Sequence, residues 1–233
     1  SAGVLAATFA MFAIGGIQLV TTQRFQQVAG FSPLEAGLLV AAIAVGSLPT
    51  ALLGGAFLHR IGLLALITGG LAFATGGVVV TAIGFQSSLG VLVLGLLLTG
   101  AGLGAAMPVA STAIIGNVPV RRAGMAASLE EVSYEFGSLI AVSVLGSLLT
   151  AIYSARVVLP DGAPDAAGDS IAEAQAVAQG DADIIQAAAT AFDSAYLVVM
   201  LVVAAVLAAG ALVTGVLLRR YLPGTQSQLH SEH

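Results

Sequence analysis

The sequence predicts an all-α membrane protein with six transmembrane helices. Its 233 residues are 58% hydrophobic and only 8% charged, whereas soluble domains are about one-quarter charged. The mean hydropathy is +1.03. A hydrocarbon core about 30 Å thick is crossed by about 20 apolar residues in a helix. Six segments have that length and composition: residues 4–20, 34–58, 61–83, 91–110, 125–153 and 196–218.

Composition also excludes several function classes. The chain has no cysteine, which excludes disulfides, cysteine metal sites and thiol catalysis. Its net charge of −5 argues against a nucleic-acid partner. No histidine falls within a predicted span, so no nucleophile and base are paired and no metal site is expected. We therefore predict a protein that is not an enzyme and needs no cofactor.

The arginines predict how the helices are oriented. Membrane proteins concentrate Lys and Arg in their cytoplasmic loops, and this chain has seven arginines and no lysine. Placing the loops after the second and fourth spans, and the C-terminus, in the cytoplasm puts five of the seven on that side. These five are Arg60, Arg121, Arg122, Arg219 and Arg220, whereas Arg24 and Arg156 lie outside.

The connection between the last two spans, residues 154–192, is the long polar segment of the chain. It has one arginine and six acidic residues: Asp161, Asp165, Asp169, Glu173, Asp181 and Asp183. Alanine-rich stretches at 170–179 and 183–191 predict an extracellular helical hairpin. Its negative field either enriches cations at an outer mouth or belongs to a solvated linker. Residues 221–233 are predicted to be a disordered cytoplasmic tail.

Glycine and proline recur inside the spans. Gly100 and Gly104 have the small-xxx-small spacing that lets two helix backbones approach closely. The letters G-x-G-x-x-A from residue 100 also fit a dinucleotide fingerprint, but that motif requires a strand before it. Pro49 and Pro108 lie within spans, where proline can kink a helix. Such kinks either border a cavity or simply bend the helix.

Three glutamates lie in the fifth span, which is otherwise apolar. A charged side chain at the centre of a membrane helix costs about 3 kcal/mol or more, so Glu130, Glu131 and Glu135 indicate a function. At 3.6 residues per turn, Glu131 and Glu135 share one helix face. Counting about 1.5 Å per residue from Met125, Glu135 lies roughly 15 Å deep. We therefore expect Glu135 to be the best buried of the three and Glu130 to lie near the cytoplasmic edge.

These carboxylates can bind either a proton or a cation, which is the minimal chemistry of an exchanger. The alternative is that they pair with a hydroxyl or an arginine and only fix helix packing. Tyr134 either presents an aromatic wall to an organic cation or packs. Gln18, Ser47 and Thr50 either line a cavity or, for the hydroxyls, bond to their own helix carbonyls.

Four segments of sequence carry a resemblance to a known family. They read F-S-P-L-E-A-G-L at residues 31–38, H-R-I-G at 59–62, R-R-A-G-M-A-A at 121–127 and L-E-E-V-S-Y-E at 129–135. Together they resemble the C-terminal half of the 14-span drug:proton antiporters of the major facilitator superfamily. Residues 1–153 would then supply transmembrane helices nine to thirteen, and residues 193–220 the last helix.

The resemblance implies a proton-coupled multidrug efflux antiporter in the cell inner (plasma) membrane. Such a protein exports lipophilic organic cations, including quaternary ammonium compounds and dyes such as ethidium, by alternating access driven by the proton gradient. Its partners would be these cations, protons, the lipid bilayer and a missing N-terminal half, since the chain begins at Ser1 and is expected to be a piece of a longer protein. The alternative is a passive cation channel or a non-transporting helical assembly module.

Carried over by position, the resemblance assigns Glu131 and Glu135 to the family's acidic positions. It also assigns Arg60 to the gate arginine of the inner-loop motif G-x-L-A-D-R-x-G. This chain departs from that motif, because His59 replaces the aspartate and leucines replace the later basic residues. Ser47 stands where some relatives have an aspartate, which favours monovalent cations.

Overall fold

The computed structural model describes residues 2–116 and 118–219, and for residues 54–61 it describes the backbone alone. Within these residues every regular element is helical. Eight α-helices follow one another: α1 (Ala2–Gln27), α2 (Pro33–Val40), α3 (Ala42–Ile61), α4 (Leu63–Ser87), α5 (Leu89–Ile115), α6 (Ala123–Arg156), α7 (Ile171–Ala178) and α8 (Ala182–Arg219). Six spans are long and apolar enough to cross a membrane, with α2 and α3 forming the second. The six predicted transmembrane helices are confirmed.

The helices extend beyond their predicted ends. The loops expected at residues 21–32 and 84–90 are largely helical, because α1 continues to Gln27 and Ser88 alone separates α4 from α5. The Ser88 side chain accepts a hydrogen bond from the Val91 backbone N–H at 3.3 Å. A serine at this position satisfies a free N–H at the start of the next helix, so a single residue is enough for the turn.

Packing places α1, α4, α5 and α8 around a common apolar core. Helix α5 lies between α3 and α4, α4 also packs along α8, and α1 packs along α6 and α8. The largest fully buried side chains of this core include Ile17, Leu71, Leu96, Met200 and Leu207. Helices α3 and α6 therefore lie at opposite edges of the bundle, and each leaves one face unpacked.

Close approach of α3 and α5 depends on glycine. A Cβ added at Gly100 would fall on the carbonyl oxygen of Ile43, and one added at Gly104 on that of Ser47. Gly46 of α3 faces the Leu97 carbonyl in the same way. Both glycines of the small-xxx-small spacing therefore lie where the backbones of α3 and α5 approach closely.

The two ends of the bundle differ in charge. We call one the arginine end, defined by Arg121, Arg122 and Arg219, and the other the hairpin end, defined by the connection between α6 and α8. At the hairpin end, Arg24 of α1 pairs with Asp193 of α8, with Nε at 2.9 Å from Oδ1 and Nη2 at 3.3 Å from Oδ2. The Arg24 guanidinium also lies 4.9 Å from the ring centroids of Phe25 and Phe85. This cluster joins α1, α4 and α8.

Breaking the Arg24–Asp193 pair is expected to destabilise the bundle more than removing both charges. The side chains are only 12% and 26% exposed, so either charge left alone loses its partner in a poorly hydrated site. We expect a coupling of about 1–3 kcal/mol in a double-mutant cycle of Arg24→Gln and Asp193→Asn. Thermal unfolding of the four proteins in detergent measures it, and additive losses would contradict it.

The predicted helical hairpin is present between α6 and α8. Helix α7 begins after Ser170, whose side chain accepts from the Glu173 backbone N–H at 3.2 Å, and ends where Gln179 and Gly180 both take positive φ angles. The side chain of Asp181 caps α8 by accepting from the Asp183 backbone N–H at 2.9 Å. The predicted end of the second hairpin helix at residue 191 is wrong, because α8 runs without a break from Ala182 to Arg219.

The hairpin is packed onto the end of the bundle, so it is not a loose solvated linker. The Tyr153 hydroxyl of α6 donates to the Ala167 carbonyl at 2.8 Å, and the Ser154 hydroxyl donates to that of Asp169 at 3.2 Å. The Gln175 side-chain amide donates to the Gln27 carbonyl at the end of α1. These bonds tie the segment to α1 and to α6, and α6 is the helix that carries the three glutamates.

Candidate functional site

Helix α6 has one buried stripe and two exposed ones. Its buried stripe includes Ala126, Glu130 and Gly137, and a Cβ at Gly137 would fall on the Thr8 carbonyl of α1. This contact sets the rotation of α6 against α1. Successive residues of a helix point about 100° apart, so residues on the other faces of α6 point away from the bundle.

The two exposed stripes have different chemistry. One is apolar, with Met125, Leu129, Val132 and Phe136 each 52–64% exposed. The other carries Ser128, Glu131 and Glu135, all exposed. Lipid-facing surfaces exclude charge, so the apolar stripe suits lipid, whereas the acidic stripe requires a polar or water-filled surrounding.

Glu131 and Glu135 share one face of α6, as their spacing predicts. Among the side chains that the structure describes, neither carboxylate accepts a hydrogen bond, and the one ion pair is that of Arg24 with Asp193. Both acids therefore present free oxygens to the open side of this bundle. The alternative in which they pair with an arginine and fix helix packing finds no support in the described residues.

The expected order of burial is wrong. Glu130 is the buried glutamate, with only 8% of its surface exposed, whereas Glu135 is exposed. Depth along the helix was the basis of the expectation, but rotation about the helix axis decides burial. The contact of Gly137 with α1 turns the stripe of Glu130 inward, so Glu135, which points about 140° away from Glu130 round the helix axis, stays outside.

Two hydroxyl groups hold Glu130. Tyr134, one turn later on α6, donates to Oε1 at 2.6 Å, and Ser111 of α5 donates to Oε2 at 3.1 Å. Tyr134 is half-buried, so its ring lies between the buried stripe and the acidic stripe. Apolar residues Ala7, Ile114 and Ala126 form a small cluster beside it.

The sequence gives no direct sign of Ser111. Most hydroxyls in these helices donate to the carbonyl three or four residues earlier, as Thr112 does to Pro108 at 2.9 Å. Ser111 differs because the turn after α5 brings it next to α6. Its position near the end of α5, 19 residues before Glu130, is the only hint in the sequence that Ser111 could bond to that glutamate.

The remaining cavity-lining candidates fall in two groups. Gln18 is the one exposed residue of α1, which keeps it available to a cavity. The hydroxyls of Ser47 and Thr50 donate to the carbonyls of Ala44 at 2.9 Å and Ser47 at 3.0 Å. Thr50 also faces the Gly104 backbone, which makes it part of the α3–α5 contact.

Three further candidates concern the helix backbone and the inner loop. Helices α3 and α5 continue through Pro49 and Pro108 respectively, so each proline is accommodated within a span. Arg60, the predicted inner-loop gate, belongs to residues 54–61, whose side chains lie outside the described part. Its role as a gate stays a prediction.

The sequence model of the Major Facilitator Superfamily matches residues 3–159. The chain belongs to the major facilitator superfamily. It is accordingly a multi-pass membrane protein, as its six apolar helices indicate.

Similar curated proteins of this superfamily carry names that refer to drug resistance. The methyl viologen resistance protein SmvA of Salmonella typhimurium is 31% identical over 163 residues, which cover 69% of this chain and 32% of SmvA. The multidrug efflux pump LfrA of Mycolicibacterium smegmatis is 30% identical over 230 residues, covering 94% of this chain and 46% of LfrA. The chain therefore spans about a third to a half of the length of these relatives.

A solved structure has the same fold. A bacterial homologue of the human lysosomal transporter Spinster, crystallised in an inward-facing and occupied conformation, superposes with a TM-score of 0.75 at 18% identity. The match covers 95% of this chain and 49% of that protein. At this identity the likeness concerns the fold, and it corresponds to half of the larger structure.

Proposed function

We propose that this chain is the C-terminal half of a proton-coupled multidrug efflux antiporter that exports lipophilic organic cations. The observation that carries the proposal is the acidic stripe of α6, where Glu131 and Glu135 are exposed within a membrane-spanning helix and have no partner among the described residues. Two free carboxylates in that position cost stability, and a binding function for cations and protons accounts for keeping them. The name of SmvA refers to methyl viologen, which is an organic cation, and the name of LfrA refers to multidrug efflux, and both names support this proposal.

Each carboxylate serves either a proton or a cation at a given moment. Neutralising the acid with a proton removes the charge that attracts the cation, so binding of one releases the other. Exchange then requires that the site opens to one side of the membrane at a time. No cofactor is needed, because the proton gradient supplies the driving force.

A second half of six or more spans would complete the cavity. The chain covers 46% of LfrA and 49% of the Spinster homologue, and its acidic stripe is open on the side away from the bundle. We expect the N-terminal half of the same polypeptide to face that stripe. Alternating access would consist of rocking between the two halves.

The charges of the two ends support one orientation. The described arginine end carries Arg121, Arg122 and Arg219, whereas the hairpin end has five acidic residues in the connection before α8 and Asp183 in the first turn of α8. By the preference of cytoplasmic loops for positive charge, the arginine end and the C-terminus face the cytoplasm of a plasma membrane. Arg24 at the other end is neutralised by Asp193, so it does not count as a positive charge when the two ends are compared.

The test uses the complete polypeptide with both halves in proteoliposomes that hold a pH gradient. With valinomycin and equal potassium on both sides, the membrane potential is clamped at zero. Adding ethidium or tetraphenylphosphonium is expected to dissipate the pH gradient, and protein-free vesicles serve as the control. A passive cation channel or an assembly module would leave the pH gradient intact under this clamp, and that result would refute the proposal.

A further inference from the structure

The three glutamates of α6 are of two kinds. Glu131 and Glu135 are exposed and accept no hydrogen bond among the described residues, whereas both oxygens of Glu130 are occupied by hydroxyl donors. A cation that approached Glu130 would have to displace the hydrogen bonds from Tyr134 and Ser111. Glu130 is also turned toward α1 and α5, away from the open side. It is therefore badly placed to touch the transported cation.

Tyr134 lies between the buried Glu130 and the exposed pair Glu131 and Glu135. On the helix its direction is about 40° from that of Glu130, 60° from that of Glu131 and 100° from that of Glu135. The hydroxyl points to Glu130, 2.6 Å from Oε1, and the half-buried ring lies at the edge of the acidic stripe. An aromatic face beside carboxylates attracts cations through its quadrupole.

We infer that Glu130 and Ser111 are positioning residues, which hold the Tyr134 ring as the aromatic side of a cation site whose charged side is Glu131 and Glu135. This inference rests on the proposed function and changes the role expected for Glu130, from a ligand for protons or cations to a support. Ser111 fixes the Glu130 carboxylate from α5 at 3.1 Å, so the tyrosine is anchored to a second helix. The ring is thereby held in one orientation at the edge of the acidic stripe.

Such a site selects cations by size and hydration. A bulky, poorly hydrated ion such as tetraphenylphosphonium gains from the ring face and from the carboxylates together, whereas a small ion keeps its water shell and gains little from the ring. The expected signature of losing the ring or its anchor is weaker binding of the bulky cation. The maximal transport rate should change little, because the exchanging carboxylates remain.

The experiment measures binding of radiolabelled tetraphenylphosphonium to the purified complete transporter, together with transport KM and kcat. The variants are Glu130→Gln, Ser111→Ala, Tyr134→Leu and the double variant Glu130→Gln with Tyr134→Leu. Ser147→Ala is the matched control, because Ser147 lies in α6 and donates to its own helix at the Ser143 carbonyl, 2.8 Å away. Size-exclusion profiles establish whether each variant is folded. If Glu130→Gln does not fold, the double variant Ser111→Ala with Tyr134→Leu replaces the double variant Glu130→Gln with Tyr134→Leu.

Losing the ring is expected to weaken tetraphenylphosphonium binding by roughly 3- to 30-fold. Glu130→Gln and Ser111→Ala should each raise the Kd and the KM several-fold with kcat retained. In the Tyr134→Leu background, Glu130→Gln should have no further effect, because positioning residues act only through the group that they position. Ser147→Ala should match the unchanged protein.

Two results would overturn the inference. One is an additive effect of Glu130→Gln and Tyr134→Leu, which would mean that Glu130 acts independently of the ring. The other is loss of proton exchange in Glu130→Gln with tetraphenylphosphonium binding unchanged, which would make Glu130 the proton-binding group. Failure of the proposed function looks different, since the unchanged protein would then bind tetraphenylphosphonium without dissipating a pH gradient.

Discussion

Replacing Glu131 and Glu135 together by glutamine is expected to abolish the dissipation of a pH gradient by added organic cation. Both carboxylates are exposed on one stripe of α6 and have no partner among the described side chains. At an effective dielectric constant of about 20, a monovalent cation 4 Å from a carboxylate gains about 4 kcal/mol. Removing both charges should therefore lower exchange at a subsaturating cation concentration by at least about 100-fold.

The control must remove the same net charge elsewhere. Asp161→Asn with Asp165→Asn neutralises two exposed acids of the hairpin connection and, at an ionic strength that screens cation enrichment by the hairpin, should leave exchange close to that of the unchanged protein. Glutamine has nearly the size of glutamate, so the exposed stripe of α6 keeps its packing and the double variant should remain folded. Undiminished exchange in the glutamine variant, or equal loss in the aspartate control, would show that the acidic stripe is not the exchange site.

Hydropathy predicted all six spans because few backbone structures are stable in lipid. Backbone groups in hydrocarbon must bond within their own helix, so an apolar run of sufficient length becomes a helix whatever its packing. Helix ends follow local chemistry instead. The single-residue turn at Ser88, the capping box in which Ser32 and Glu35 bond each other's backbone, and the cap of Asp181 each depend on one side chain that a hydropathy average cannot register.

The candidate site was predictable to the extent that it depends on one helix. The spacing of Glu131 and Glu135 fixes their common face through the helical period alone. Which face points inward depends on the partner helix, and here the close contact of Gly137 with Thr8 decides it. The hydrogen bond from Ser111 to Glu130 joins two helices across a turn, so neither the burial of Glu130 nor its partner follows from the pattern of α6.

Gly100→Ala is expected to destabilise the bundle at the contact between α3 and α5. The added methyl would meet the carbonyl oxygen of Ile43, which is backbone and cannot rotate away. The two helices would have to separate, with loss of the neighbouring contacts of Gly46 and Gly104. Overpacking of this kind costs about 1–3 kcal/mol.

Gly76→Ala supplies the matched control within a membrane span. A Cβ at Gly76 meets nothing within 4 Å, and alanine is the better helix former by about 0.5–1 kcal/mol. We therefore expect opposite signs for the same chemical change, with Gly100→Ala lowering and Gly76→Ala slightly raising the midpoint of thermal unfolding. Fluorescence-detected size exclusion of a fusion protein in detergent measures both.

Combining Gly100→Ala with Gly104→Ala separates overpacking from a general intolerance of this helix to substitution. Both glycines face carbonyl oxygens of α3, those of Ile43 and Ser47. Once the first methyl has forced the helices apart, the second finds space, so the double variant should lose less stability than the sum of the singles. Additive losses, or a Gly100→Ala protein as stable as the Gly76→Ala protein, would mean that the close approach of α3 and α5 contributes little to holding this half together.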